Sequence, residues 1–417
     1  MMFTFGVILF ALGIGLSIAL HEYGHFLTAK SFGMKVRRYF IGFGPTVFSW
    51  RRTETEYGLK AIPAGGFCDI AGMTALDELE PDEHDRAMYK QSTWKRLVVM
   101  LGGPMGNFVF CFVLVVVLAV GWGLPNLMLS SSAVVGQTTC VAPSQAAPAV
   151  NEEGNLVPGE LAECTGVGPA EAAGVQADDI ITAVNGEKVE NFGDLVRLVQ
   201  PETSRVVLTV ERGEEVLTIP VGVERVQRYV VQEGQGPDEA REATVGAIGV
   251  GVGRVPDPVQ YGLIGAIPAS ASFMGDFVIV TWDAMLRIPE RMPAVVRSII
   301  GEDRDPDTPI SVVGASRIGG EVAERGLWEV FILLLAGLNL FIGLFNLLPL
   351  LPLDGGHIAV TIYESIRNRI RRLLGRPNGP PVDYTKLLPI TFTVILIGGA
   401  VMLLTITADI VNPIRLF

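Results

Sequence analysis

His21, Glu22 and His25 stand inside an otherwise apolar stretch that ends Ser17-Ile-Ala-Leu-His21-Glu22-Tyr-Gly-His25-Phe-Leu-Thr-Ala-Lys30. A spacing of four residues puts the two imidazoles one turn apart on the same helix face, where their nitrogens can converge on one metal ion. Neutral imidazole is a strong ligand for Zn2+, and an open coordination position lets water ionise near neutral pH. Glu22 would then sit beside the ion rather than on it, placed to take the proton of an attacking water and pass it to a leaving amine. Two core histidines satisfied by hydrogen bonds are the plainer reading. It loses ground here because an ionisable side chain at membrane depth costs about 2.5 kcal/mol or more and is functional by default. Two of the chain's four histidines fall in this motif.

A hydrolytic zinc site needs a third protein ligand, and the candidate lies in Asn346-Leu-Leu-Pro349-Leu-Leu-Pro352-Leu-Asp354-Gly355-Gly356-His357. Asp354 is the best acid there. In unbroken helices it would lie over roughly 10 Å deeper than His21. Pro349 and Pro352 lack backbone N–H groups and end or kink a helix, so the chain can turn back toward the metal. Irregular backbone at membrane depth is tolerated where it lines a wet cavity, and Asn346 is placed to hydrogen-bond a substrate backbone or a developing oxyanion. His357 reads as a surface histidine.

These residues need apolar elements to hold them. The mean hydropathy is +0.42 and only 18% of residues are charged, below the roughly 25% of soluble proteins. A bilayer crossing takes about 20 residues, and four stretches qualify, near 4 to 29, 97 to 123, 328 to 353 and 387 to 408. The first has no Lys or Arg before it and is too long for a signal peptide, so it is expected to stay in the mature protein. Lys35, Arg37, Arg38, Arg51 and Arg52 lie between the first two spans, and Arg367, Arg369, Arg371 and Arg372 between the last two. The positive-inside rule therefore makes both loops cytoplasmic, and both termini and residues 125 to 327 extracytoplasmic. Cys140 and Cys164 then fall where a disulfide can form, while Cys68 is cytoplasmic and Cys111 lies in a span. The net charge of -12 argues against a nucleic-acid partner. The acidic run Asp77, Glu78, Glu80, Asp82, Glu83 reads as a solvated loop.

With His21-Glu22-Tyr-Gly-His25 in the first span and Leu353-Asp354-Gly355 at the end of the third, the chain resembles the site-2 protease family of intramembrane metalloproteases. Gly42-Phe-Gly-Pro45, Ile62-Pro-Ala-Gly-Gly-Phe67, Gly103-Pro-Met-Gly-Asn107 and Pro309-Ile-Ser-Val-Val-Gly314 extend the resemblance over most of the chain. It implies that His21, His25 and Asp354 bind Zn2+, that Glu22 is the catalytic acid/base, and that the Asn346, Pro349, Pro352 segment contacts substrate. It also implies a multi-pass protein of the bacterial cytoplasmic membrane that cuts single-pass membrane proteins, often anti-sigma factors already trimmed outside. The run from Gly168 to Gly186 resembles the core of a bacterial PDZ domain, with a strand at Ile180 to Val184, a tight turn at Asn185-Gly186, a helix at Phe192 to Val199 and a closing hairpin at Arg205 to Val210 with Val216 to Val221. Such a module can bind peptide ends by strand addition or act as a size filter.

The expected architecture is thus a polytopic α-helical membrane protein of four transmembrane helices, with a membrane-associated β-hairpin loop and an extracytoplasmic PDZ domain. Its parts are residues 1–124 (two spans and the hairpin), 125–225 (PDZ), 226–327 (a region with a helix over Phe273 to Ile300 lying on the membrane) and 328–417 (two spans). Val36 to Trp50 and Tyr57 to Phe67 read as the hairpin strands, whose exposed edge could hold an unwound substrate. Two rival functions are weaker: a catalytically dead scaffold would lack Glu22, and a metal transporter would carry inverted repeats and ionisable residues in several spans.

Overall fold

The computed structural model describes residues 1–74, 77–127, 133–147, 149–150, 156–157, 159–213, 215–230, 241–252, 258–302, 304–305 and 307–414. The chain opens with helix α1 (Met2–Ser31), whose buried residues Gly6, Phe10, Ile14, Ser17, His21, His25 and Ala29 recur every three or four positions and so define one face. Gly33, at φ +76°, ends it: the N–H of Gly33 bonds to the Lys30 carbonyl and that of Met34 to Ala29, a left-handed stop that glycine adopts without a Cβ penalty.

Strands β1 (Val36–Arg52) and β2 (Thr55–Ile70) follow, antiparallel. They are not a simple hairpin. Arg38 pairs with both Asp69 and Glu56, Phe40 with both Phe67 and Gly58, and Gly58 in turn with Ser49. Each strand is therefore bent and pairs twice, which orders four segments as 66–70, 36–41, 55–60 and 46–52. The bends fall at Gly42, Gly44 and Gly65, all with φ between +83° and +106°, which side chains resist. Phe43, Val47, Phe48, Trp50, Leu59 and Ile62 are exposed on this curled sheet. In the acidic run Glu78, Glu80 and Asp82 are exposed as expected, but Glu83 is 1% exposed and accepts hydrogen bonds from Nε and Nη2 of Arg37 at 2.9 and 2.5 Å.

Helix α2 (Thr93–Gly121) runs antiparallel to α1 and touches it backbone to backbone. A Cβ on Gly24 would collide with the main chain of Gly102, and one on Gly106 with that of Leu20. Small residues permit such approach, which replaces the hydrophobic drive that lipid removes.

Residues 124–259 form a separate compact unit. It contains β3 (Ala133–Thr138), β4 (Ala149–Val150), β5 (Leu156–Val157), the short helix α3 (Pro169–Ala172), β6 (Ile180–Val184), β7 (Glu187–Lys188), α4 (Phe192–Val199), β8 (Arg205–Arg212), β9 (Glu215–Gly222), β10 (Glu224–Val230), β11 (Arg241–Ala247) and β12 (Val250–Val252). The main sheet has the order β12-β3-β6-β8-β9, with β7 on β6, and packs on α3 and α4 around Val135, Ala170, Val184, Leu195, Val199 and Leu208. Asn191 caps α4 by accepting from the Asp194 N–H. Cys140 and Cys164 are joined by a disulfide, with Cα atoms 5.8 Å apart.

The helical unit resumes at Gln260 with α5 (Leu263–Ile299), α6 (Val312–Glu324), α7 (Trp328–Asn346), α8 (Asp354–Leu373) and α9 (Leu388–Val411). The stretch grouped by sequence as 226–327 is therefore shared between the two units, since β12 pairs with β3. Five helices among the described residues are long and apolar enough to cross a membrane, the four expected regions and Leu263–Ile299. This fifth one starts ten residues before the helix read from sequence, in apolar Leu263 to Ser272, ahead of the charges at Asp276, Asp283 and Arg287. The expected span 328 to 353 ends early, at Asn346.

Candidate metal centre

Helix α7 runs in the same direction as α1. The Phe331 ring meets Phe10 edge-on at 5.3 Å, and Leu335 lies 3.0 Å from where a Cβ on Gly13 would stand. Continued as a helix it would carry Asp354 past His25, the depth mismatch noted in the sequence. Instead the helix stops at Asn346 and residues 347–353 form a compact turn, with the Leu350 N–H on the Leu348 carbonyl and the Leu353 N–H on Leu350. Gly355 and Gly356 let the next helix pack on that turn: a Cβ on either would strike the main chain of Leu347 to Leu351.

The result sets Asp354 in the first turn of α8, where the helix dipole favours a carboxylate. Its Oδ2 lies 3.2 Å from Nε2 of His21 and 3.2 Å from Nε2 of His25. The two histidines are 9% and 6% exposed, with ring centroids 5.0 Å apart. Among the described residues these three form the one cluster of its kind, each offering a ligand atom within 4.8 Å of the others.

The far nitrogens are also held. Nδ1 of His21 lies 2.7 Å from Oδ1 of Asn107, and Nδ1 of His25 lies 2.8 Å from the Val99 carbonyl. Both partners are on α2, whose internal Pro104 removes one helical N–H and loosens the ladder beside Val99. With Nδ1 of each ring engaged by oxygen, both Nε2 atoms converge on Asp354, an arrangement typical of metal-binding histidines.

The donor set therefore fits a zinc ion by its chemistry, two imidazoles and a carboxylate. It also fits by its space. A Cβ on Gly103 would stand 2.7 Å from Nε2 of His21 and closer still to Nε2 of His25, so glycine keeps that side of the cluster open.

Glu22 is half-buried, and its Cγ lies 3.0 Å from where a Cβ on Gly66 would stand, which brings the 66–70 segment of β2 alongside it. Asn346 donates instead to its own helix, from Nδ2 to the Ile342 carbonyl at 3.0 Å. Pro349 and Pro352 are exposed on the turn. His357, read as a surface residue, is half-buried and stacks on Tyr384 at 5.6 Å. Asn107 and Asn339, which is fully buried against it, join the site without a sequence-level expectation. The available signal was a polar amide inside each apolar span.

The model of peptidase family M50 matches residues 9–377. Over their full lengths, the chain is 50% identical to zinc metalloprotease Rip1 of Mycobacterium tuberculosis (strain ATCC 25618 / H37Rv) and 47% identical to zinc metalloprotease Rip1 of Mycolicibacterium smegmatis. It is 24% identical to zinc metalloprotease RasP of Oceanobacillus iheyensis, across 87% of this chain and 91% of that one. The family match over most of the chain and the full-length relatives together establish that this protein belongs to peptidase family M50, the site-2 protease family.

Proposed function

We propose that the chain is an intramembrane zinc metalloendopeptidase that hydrolyses a peptide bond within the transmembrane segment of single-pass membrane proteins, anti-sigma factors trimmed beforehand on the outside being the expected class. The observation that carries this is the meeting of His21, His25 and Asp354, with the carboxylate 3.2 Å from each imidazole, across two membrane-length helices and the turn after the second. His21, His25 and Asp354 would hold Zn2+. The ion supplies a Lewis acid that polarises the scissile carbonyl and acidifies water. Glu22 takes the proton of the attacking water on its carboxylate and delivers it to the leaving amide nitrogen, so that one carboxylate serves as base and then acid.

A helical substrate has its carbonyls bonded internally and must be unwound before attack. The 66–70 segment of β2 supports an unwinding role: it lies beside Glu22, and its outer edge pairs with no other strand among the described residues, so an extended substrate can add to it as a strand. Asn346, at the end of α7, is assigned to the substrate backbone with Pro349 and Pro352 beside it. That role requires the Asn346 amide to leave the Ile342 carbonyl when substrate enters.

The unit 124–259 is assigned as a PDZ-type module on the extracytoplasmic side together with both termini, which requires α5 to end on the side where it begins: the Tyr261 N–H just before it bonds to Ala119 near the end of α2, and Asn412, after α9, bonds to the Ser298 carbonyl near the end of α5. Support comes from the disulfide, which belongs to an oxidising compartment, and from the basic loops that flank the spans. Strand β12 is an edge of its sheet, and a cleft of about 590 Å³ lined by Phe192, Val196, Val199, Ile248 and Val250 favours peptide binding there. The decisive experiment is replacement of Glu22 by Gln in purified full-length protein. Zinc should remain bound and cleavage of a membrane substrate should stop; persistent cleavage refutes the role of Glu22. In cells, the same variant should cause single-pass stubs to accumulate.

A further inference from the structure

We propose that Asn107 is a positioning residue for the metal, and that with Asn339 it forms a polarised amide relay that fixes His21 as a ligand through Nε2. The proposal rests on the zinc reading above and adds how one ligand is oriented. The chain of contacts starts at a main-chain carbonyl. Nδ2 of Asn339 lies 2.8 Å from the Leu335 oxygen, which can only accept, so that side of the amide must be the NH2 group. Its Oδ1 then faces Asn107, 3.2 Å from Nδ2. The same Nδ2 is 3.4 Å from the Ser17 carbonyl, a second pure acceptor. Both neighbours therefore demand that Asn107 present its NH2 group to them and its Oδ1 to His21, 2.7 Å from Nδ1.

An amide oxygen cannot donate, so Nδ1 of His21 must carry a hydrogen, and the neutral ring keeps its lone pair on Nε2. Flipping Asn107 would bring its oxygen onto the Ser17 carbonyl. Flipping Asn339 as well would only move the conflict to the Leu335 carbonyl. Both asparagines and Ser17 are 0% exposed, so no water is at hand to relieve the unsatisfied polar groups of a reversed chain. The direction of the whole relay is set by two carbonyl oxygens, one on α1 and one on α7.

Asn339 lies on α7, the helix that leads into the turn carrying Asp354. Docking of α7 thus delivers the carboxylate and, through the relay, the correct tautomer of His21. An interhelical amide pair could also serve only as adhesive between helices, and the two roles separate on substitution. Asn107→Leu removes both. Asn107→Asp keeps an acceptor toward His21 but turns an oxygen toward Asn339 and Ser17, so it weakens the adhesive and keeps the orientation.

The test is Zn2+ affinity of full-length protein in detergent, measured by competition with a chromophoric chelator, with the ligand-field spectrum of the Co2+-loaded protein alongside. Asn107→Leu should bind Zn2+ roughly 10–100-fold more weakly and shift the Co2+ bands. Asn107→Asp should stay within about threefold of the parent and retain its spectrum, a rescue set by orientation of the ligand. Asn339→Leu, in which the Ser17 carbonyl still holds Asn107, should fall between them. Should Asn107→Leu not accumulate as folded protein, Asn107→Asp and Asn339→Leu carry the same comparison. Parent-like affinity in Asn107→Leu, equal losses in the Leu and Asp variants, or a weaker Asn107→Asp than Asn339→Leu overturns the relay. A parent protein that itself holds no Zn2+ overturns instead the metal reading on which it rests.

Discussion

Gly103 of α2 faces His25 so closely that a methyl group added there would overlap Nε2 of the imidazole. The side of the cluster left open by this glycine is where an ion would be gripped. Replacing Gly103 with Ala puts carbon into that space, and the neighbouring atoms are ring nitrogens fixed by Asn107 and Val99. Overpacking of this kind costs about 1–3 kcal/mol. The expected outcome is a loss of zinc affinity of about tenfold to a hundredfold with the helices still folded, measured as metal content after dialysis against a chelator. Full zinc occupancy in Gly103→Ala under those conditions would contradict the assignment of the open side.

How much of this was legible follows from what each residue costs in an apolar setting. His21, Glu22, His25 and Asp354 were visible because ionisable groups are expensive in lipid and because their spacing matches known metal chemistry. Asn339 was not visible, since one neutral amide in Leu-Asn-Leu is a smaller departure from the apolar pattern. The early stop of α7 could be anticipated from Pro349 and Pro352, but the way Gly355 and Gly356 seat α8 against the turn depends on contacts that no local pattern encodes. The doubling of β1 and β2 was hidden for a similar reason. Gly42, Gly44 and Gly65 mark bends, yet only tertiary pairing decides that Phe40 serves two partners. Glu83 read as solvated because its partners, Lys35 and Arg37, are more than forty residues away in sequence.

Asp354 is expected to be indispensable for metal retention, because without it two imidazoles remain and the site loses its anionic ligand. Chelation of the parent protein should abolish cleavage, and added Zn2+ should restore it. In Asp354→Ala the apoprotein should stay folded, yet micromolar Zn2+ that restores the parent should restore nothing. Recovery of the variant at the same zinc concentration would show that Asp354 is no ligand.

A second buried charge pair lies in the loop before α6 and the end of α9. Arg304 and Asp409 have side chains 2% and 1% exposed, with Nη2 and Oδ1 3.0 Å apart. Asp409 also accepts from the Ser311 N–H at 2.6 Å, and Arg304 donates to the Pro309 carbonyl at 2.9 Å. Removing one partner of a buried pair leaves a charge without compensation and costs roughly 3–5 kcal/mol. Asp409→Ala should therefore lower the thermal unfolding midpoint of the detergent-solubilised chain markedly. Arg304→Met with Asp409→Ala should recover part of that loss, because the orphan charge is gone. A single variant as stable as the parent would mean that solvent reaches this pair.

Acid should loosen the segment after β2 before it affects the helices. The Arg37 guanidinium, bonded to Glu83 through Nε and Nη2, holds that carboxyl down to about 2, with help from the Glu80 N–H and Lys35. Arg86 and then Lys30 hold Glu54 down to about 2 as well. Each folded-state value lies below the ordinary 4.5, so the stabilisation is complete above about 4.5 and is lost as pH falls toward 2. For buried Glu83 the full effect is roughly 3 kcal/mol at about 1.4 kcal/mol per unit. Hydrogen exchange over residues 77–90, corrected for intrinsic rates, should show protection that declines between pH 4.5 and 2.5. Glu83→Gln, which cannot ionise, should begin with less protection at neutral pH and lose little more in acid. Equal pH profiles for the variant and the parent would mean that Glu83 is not the group that senses the change.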